Sequence, residues 1–165
     1  MDIQIKQYLE RSGNELRFAI ITKNLSESDL KVELGGEKDD TYYSQVITNA
    51  YYAIFYSAKA ILLTKNIKTY APNIHKKTLD AFKENFVDSG ILDVELLKIY
   101  NEMIVKADDL LGLFQQEKKK RGEFVYKTIP QANKEPAEES INNAKKFVSH
   151  IKMVIENLDL KKTKK

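Results

Sequence analysis

The chain has 165 residues, of which 42% are hydrophobic and 31% are charged, and its formal net charge is +3. This length favours one domain with a single core, and the composition excludes a disordered chain. The absence of cysteine excludes disulfides, thiolate zinc sites and cysteine nucleophiles. No signal peptide is visible, and no apolar stretch approaches the ~20 residues of a membrane span. We therefore expect a soluble cytoplasmic protein with no membrane association.

The first predicted helix follows a seam of apolar and small residues three or four positions apart, and it ends near Leu25. The members of this seam are Ile5, Leu9, Ser12, Leu16 and Ala19. The polar, acidic stretch Ser26–Lys38 follows, and its composition predicts a mobile loop. A second helix spans about 39–65, with Asp39 or Asp40 as its N-cap.

The second helix has more aromatic surface than one face of a helix can bury. Its seam of apolar and small residues includes Ala50 and Ser57, which are small enough for another helix to approach closely. We expect half of the aromatic side chains to face the core and half to face a partner helix, such as one of a second subunit. The residues predicted for this dimer or partner interface are Tyr51, Tyr52, Phe55 and Tyr56.

Three further helices complete the prediction. The third spans about 73–87, with Asn73 as its N-cap and Gly90 as its stop signal. The fourth and fifth span about 92–117 and 135–159, each with one apolar seam. The seam of the fifth helix is Ile141, Ala144, Val148, Ile151, Ile155 and Leu158.

These elements predict the fold class. No segment alternates with the period of two that marks a strand, so we expect an all-α protein. Five helices with mostly short connections form an antiparallel up-and-down bundle. We assign residues 1–160 to this bundle and residues 161–165 to a basic tail.

Several kinds of chemistry are absent from the pattern. Neither His75 nor His150 has a glutamate three residues before it, which excludes the di-iron site that some helical bundles hold. No glycine-rich phosphate loop is present. We therefore expect no metal site and no cofactor. His75 is expected to be exposed near the start of a helix, and His150 is expected to be structural or solvated.

The segment between the last two helices contains the main candidate site. This segment begins with a basic run, Lys118–Arg121. The run has two possible interpretations: its cations complement the dipole at the end of a helix, or they bind phosphate. Phe124 and Tyr126 could stack on a base, and Gln131 and Asn133 could bond to base edges or backbone. The residues predicted to bind phosphate or nucleic acid are Lys118, Lys119, Lys120, Arg121, Phe124, Gln131 and Asn133.

Three segments and this basic run resemble, in the same order, the HEPN-domain family. The aromatic and alanine-rich segment Ala50–Ala60 resembles the second-helix signature of that family. Asn73–Thr78, followed by Phe82 and by Phe86–Gly90, resembles its third helix and the exit from it. The basic run, Lys118–Arg121, lies in the expected place before the last helix. The resemblance covers essentially the whole chain.

The resemblance implies a helical bundle that forms a homodimer, with the motif regions of both subunits at a shared cleft. Many family members are metal-independent endoribonucleases that act as toxins, and many are paired with a small nucleotidyltransferase antitoxin. Their motif is an arginine followed four to six residues later by histidine. A related branch has Arg, three residues, then Asp-Tyr. Arg121 and Tyr126 have the spacing of that branch, but Val125 occupies the aspartate position.

Three catalytic candidates follow from this resemblance. Arg121 would supply the cation that holds phosphate, and Tyr126 would orient the ligand or be modified by a partner nucleotidyltransferase. A tyrosine with a pKa near its ordinary ~10 is a poor base, so His75 would be the base if the fold brings it to Arg121. The resemblance thus implies an RNA- or nucleotide-associated protein, and toxin-type RNA cleavage stays open. The alternative is a non-catalytic interaction or accessory subunit that binds a partner through the aromatic second helix.

Overall fold

The computed structural model describes residues 1–111 and 133–163 of the chain. Within these ranges the chain forms helices and no β-strand, which confirms the all-α prediction. One helix, Ile74–Phe82, continues into a π-helical turn, Lys83–Val87. The helices are α1 (Ile3–Ser26), α2 (Leu30–Glu33), α3 (Tyr43–Leu63), α4 (Ile74–Phe82), α5 (Val94–Leu111) and α6 (Lys134–Thr163).

Helix α3 lies at the centre of the bundle, in contact with α1, α4, α5 and α6. Most of its side chains are buried, including Ala50 and Ser57 of the predicted seam. Among the described helices it alone is long and apolar enough to cross a membrane, so the prediction that no stretch has this length and composition was wrong. Of the apolar stretch of α3, 72% is buried inside the bundle. A long apolar helix that is buried in this way is typical of the core of a globular protein.

Helix α1 packs antiparallel to α3 because small and polar residues allow a close approach. The Ser12 hydroxyl is buried and donates a 2.7 Å hydrogen bond to the Ala53 carbonyl oxygen. Farther along, the Asn49 amide donates to the Glu15 carboxylate at 2.6 Å. A buried hydroxyl requires a partner. These two bonds therefore fix the register of α1 on α3.

Helix α6 is antiparallel to both α1 and α5. Ion pairs at opposite ends of the helices mark this arrangement, although exposed pairs contribute little stability. The pairs are Met1 (amino terminus)–Asp159 and Lys23–Glu138 for α1, and Lys106–Glu139 and Lys146–Glu95 for α5. The helix continues to Thr163, so the first residues of the predicted tail at 161–165 are helical.

The connection between α1 and α3 is ordered around a buried lysine, and the prediction of a mobile loop there was wrong. Lys31 in α2 is only 8% exposed. Its ammonium group donates to the carbonyl oxygens of Ser26 and Asp40, both at 2.9 Å. The acidic composition suggested solvation, but a buried ammonium that satisfies two carbonyl groups holds the connection together instead.

The predicted N-cap of α3 was wrong, whereas that of α4 was confirmed in position. Helix α3 begins at Tyr43, and the Asp40 carboxylate accepts a bond from the Glu37 amide at 2.8 Å rather than capping the helix. Asn73 does occupy the N-cap position of α4, but its side chain makes no capping bond. Its φ of 59° places it in the left-handed region, which differs from the extended conformation of an ordinary N-cap. Gly90, with φ 73°, follows the π-helical turn as predicted.

Replacing Lys31 with methionine is expected to lower the free energy of unfolding by about 2 kcal/mol, because two carbonyl groups lose their donor. The exposed Lys38→Met variant in the same connection should change stability by less than about 0.5 kcal/mol. Urea unfolding followed by circular dichroism measures both variants. Equal stability of the two would show that Lys31 does not hold the connection.

An aromatic cluster forms the core between α4, α5 and α6. Phe147 is fully buried, with ring centroids 5.4 Å from Phe82 and 5.6 Å from Tyr100. The predicted seam of the last helix contained Val148 at this level, whereas Phe147 occupies the core and Val148 is only partly buried. Both spacings suit a helix, so only the packing against α4 and α5 distinguishes them.

Candidate functional site

Most of the residues predicted to bind phosphate or nucleic acid lie outside the described part of the chain. These are Lys118, Lys119, Lys120, Arg121, Phe124 and Gln131, together with the catalytic candidate Tyr126. Asn133 is described and exposed, and its carbonyl oxygen accepts a 3.2 Å bond from the Ala137 amide in the first turn of α6. Of the catalytic candidates, the structure therefore places His75.

His75 lies in the first turn of α4 and packs into the aromatic surface of α3. Its Nδ1 shares a 2.6 Å hydrogen bond with the hydroxyl of Tyr51. Its ring centroid lies 4.6 Å from that of Phe55 and 6.2 Å from that of Tyr52. The side chain is half-buried, so the expectation of an exposed residue at a helix start was wrong. Its environment comes from α3, 20 or more residues earlier in the chain.

The surroundings keep both partners of this hydrogen bond neutral. Burial lowers the pKa of His75 below its usual value, and the positive charge of Lys59 lowers it further. Burial raises the pKa of Tyr51 well above its ordinary range, so its hydroxyl stays protonated. The structure thus presents a neutral imidazole at physiological pH. When Nδ1 holds the proton, Nε2 has a free lone pair and can accept a proton.

One of the charges that act on Tyr51 belongs to α5. Asp108, in the last turn of that helix, is one of the charges that raise the pKa of Tyr51. Helix α5 ends at Leu111, and from there the chain continues toward Arg121. In the chain, the segment that contains Arg121 therefore follows the helix that contributes this charge.

The four residues predicted for an interface fall into two groups. Tyr51 and Phe55 are buried inside the chain's own core, so they have little or no surface to offer a partner. Tyr52 and Tyr56 are partly exposed, and their rings stack at 6.0 Å between centroids. An interface on α3 would therefore use these two tyrosines.

The remaining histidine belongs to no comparable cluster. His150 on α6 is exposed, and its Nδ1 lies 2.9 Å from the carbonyl oxygen of Lys146 in its own helix. Among the described residues, no three His, Asp or Glu side chains come together in a group that could hold a metal ion. His75 is thus the only histidine with an unusual environment.

Sequence reasoning missed the pairing of Tyr51 with His75, although it singled out both residues. The two lie 24 positions apart, and no local spacing connects a residue of one helix with a residue of another. The usable signal was the aromatic excess of α3, which indicated that an additional partner had to pack against that helix.

The comparisons with known proteins agree with this fold. The family model of the HEPN domain matches residues 24–154. A Methanocaldococcus jannaschii protein named "Putative toxin" is 32% identical over 139 residues, which cover 84% of this chain and 86% of the relative. A second protein of that organism with the same description is 39% identical over 61 residues, 37% of this chain and 40% of the relative. A UPF0332 protein of Thermotoga maritima is 31% identical over 121 residues, covering 73% of this chain and 78% of the relative. The chain belongs to the HEPN-domain family.

Proposed function

We propose that this chain is a toxin-type HEPN protein that binds RNA and cleaves it without a metal ion. Arg121, helped by Lys118, Lys119 and Lys120, would hold the phosphate, and His75 would be the base. Two relatives are named "Putative toxin", and the family model covers most of the chain. The supporting observation is the half-buried His75, whose pKa is lowered by burial and whose Nδ1 shares a hydrogen bond with the Tyr51 hydroxyl.

The chemistry requires a base and a cation. The base removes the proton of a ribose 2′-hydroxyl, whose oxygen attacks the adjacent phosphorus and displaces the 5′-oxygen of the next nucleotide. The displaced oxygen takes a proton from water and leaves as a 5′-hydroxyl group. A neutral imidazole can accept that proton at physiological pH, whereas a tyrosine with its ordinary pKa cannot. A guanidinium stabilises the negative charge that develops on phosphate. His75 would thus supply what the Arg-x4-Tyr spacing of Arg121 and Tyr126 lacks.

Incubation of the wild type and the Arg121→Ala variant with single-stranded RNA in EDTA tests this proposal. We expect the wild type to leave products with 2′,3′-cyclic phosphate ends, and we expect Arg121→Ala to be folded and inactive. Circular dichroism checks folding, and gel electrophoresis measures cleavage. No cleavage by the wild type, or equal cleavage by both, would contradict the proposal.

The same proposal includes two assemblies. A homodimer would bring two Arg121 segments to one cleft, and a nucleotidyltransferase antitoxin would block the toxin, with Tyr126 as its modification target. Light scattering measures the dimer. Intact-mass analysis after co-expression with such a partner measures the modification. Tyr126→Phe is the control, since it removes only the hydroxyl that would be modified.

The second candidate function is a non-catalytic interaction protein. The observation that favours it is a set of exposed apolar side chains on α1 and in and after α2. These are Phe18, Ile21, Leu30, Val32 and Leu34. Salt distinguishes the two candidates, because binding that neutralises phosphate weakens steeply as salt rises, whereas apolar association does not.

A further inference from the structure

A groove lies between the first half of α1, the second half of α3 and the turn that follows α3. Its volume is about 430 Å³, within the ~300–1,000 Å³ of small-molecule sites. The lining includes Tyr8 and Arg11 from α1, Lys59 from α3, and Lys68 and Tyr70 from the turn. None of these residues belongs to the predicted site around Arg121.

Specific contacts set the walls of the groove. The bond from Ser12 to Ala53 fixes α1 on α3, and it brings the guanidinium carbon of Arg11 to 4.5 Å from the centroid of the Tyr56 ring. On the opposite wall, Thr69 is buried and its hydroxyl bonds to that of Thr78 at 2.7 Å. The residues on either side of Thr69 are both exposed and line the groove.

The groove concentrates positive charge. Arg11, Lys59 and Lys68 line it, and the described lining contains no carboxylate. Within the described part of the chain, none of these three cations takes part in an ion pair. The Lys59 ammonium is held in place by a 3.2 Å bond to the Thr69 carbonyl oxygen, which uses one of its three donors. Three such cations favour a ligand with concentrated negative charge.

Aromatic rings lie beside these cations. The Tyr8 ring has the Lys59 ammonium 5.1 Å from its centroid. Tyr70 is 64% exposed, so a ring face is available for a planar ligand. Tyrosine rings that stack on bases, next to lysine and arginine, are typical of nucleotide and single-strand binding surfaces.

We propose that this groove is a second ligand site, which binds a nucleoside phosphate. Its phosphate would contact Arg11, Lys59 and Lys68, and its base would stack on Tyr70. The ligand is a free nucleotide or one nucleotide unit of a single strand, since both present the same phosphate and base. The site shares neither Arg121 nor His75 with the proposed cleavage site, while its Lys59 also lowers the pKa of His75.

Ligand binding is measured in the wild type and in the Arg121→Ala variant. The variant lacks the proposed phosphate contact of the cleavage site, so binding in the groove is distinguished from binding at Arg121. The probes are AMP, inorganic phosphate and a labelled 2′-O-methyl oligonucleotide of about eight nucleotides, which cannot be cleaved through its 2′-oxygen. The Arg11→Gln/Lys68→Gln double variant should weaken AMP or oligonucleotide binding at least about tenfold. The matched control is Arg17→Gln/Lys98→Gln, which removes the same charge at exposed positions outside the groove and should bind normally.

The Tyr70→Ala variant tests the base contact. It should weaken binding of AMP by about tenfold and leave binding of inorganic phosphate unchanged. AMP that binds as tightly as the oligonucleotide would identify a free nucleotide as the ligand, and binding of the oligonucleotide alone would identify a strand. The proposal is overturned if no probe binds, if the groove variant and its control bind equally, or if Tyr70→Ala has no effect on either nucleotide probe.

Discussion

The His75→Gln variant should lose RNA cleavage by a factor of about 10² to 10⁴, the usual contribution of a general base. Glutamine keeps a polar side chain of similar size, so the helix start can remain folded. It cannot accept a proton at neutral pH. Initial rates on a labelled single-stranded RNA in EDTA measure the loss. His150→Gln is the matched control, since this histidine is exposed and bonds to a carbonyl oxygen of its own helix. This variant should cleave RNA like the wild type.

Two further measurements separate a base from a structural residue. Because burial and Lys59 lower the pKa of His75, wild-type cleavage should persist below pH ~6.5, the ordinary histidine value, and then fall as His75 becomes protonated. The Tyr51→Phe variant lacks the hydrogen bond to Nδ1 of His75 and should cleave RNA up to about tenfold more slowly. The pH at which its cleavage rate falls on the acid side should also differ from that of the wild type. A folded His75→Gln variant with full activity would remove His75 from the mechanism.

The Phe147→Ala variant should lose about 3–5 kcal/mol of unfolding free energy, the usual cost of removing a fully buried aromatic ring. Phe147 is fully buried and packs on Phe82 and Tyr100. Total stabilities are about 5–15 kcal/mol, so this one change could leave the bundle marginally stable. Urea unfolding measures the free energy, and thermal unfolding should show a fall in Tm of about 10 °C.

Two other variants of the same helix control for helix propensity and for size. Met153→Ala changes a side chain that is 51% exposed on α6 and should cost less than about 0.5 kcal/mol. Phe147→Leu should be intermediate, because it leaves a smaller cavity than alanine does. If Phe147→Ala were as stable as Met153→Ala, the cluster would not be the centre of the core.

The candidate site could be predicted only in part. Its residue types were visible, since Arg121 and Tyr126 have a recognisable spacing and His75 belongs to a recognisable segment. The environment of His75 could not be predicted, because its pKa depends on burial against Tyr51 and Phe55 of another helix. The groove with Arg11 and Lys59 was missed for the same reason, since its walls come from distant parts of the chain.

The sequence by itself determined the helices, because the three- and four-residue spacing of apolar side chains is a local property of the backbone. The buried seams of α3, α4 and α5 follow it closely. Only the tertiary structure decided which of two adjacent residues, Phe147 or Val148, fills the core, and that Lys31 is buried. Both outcomes depend on contacts between helices that are far apart in sequence. The crossing angles and the register of these helices cannot be predicted from any one segment of the chain.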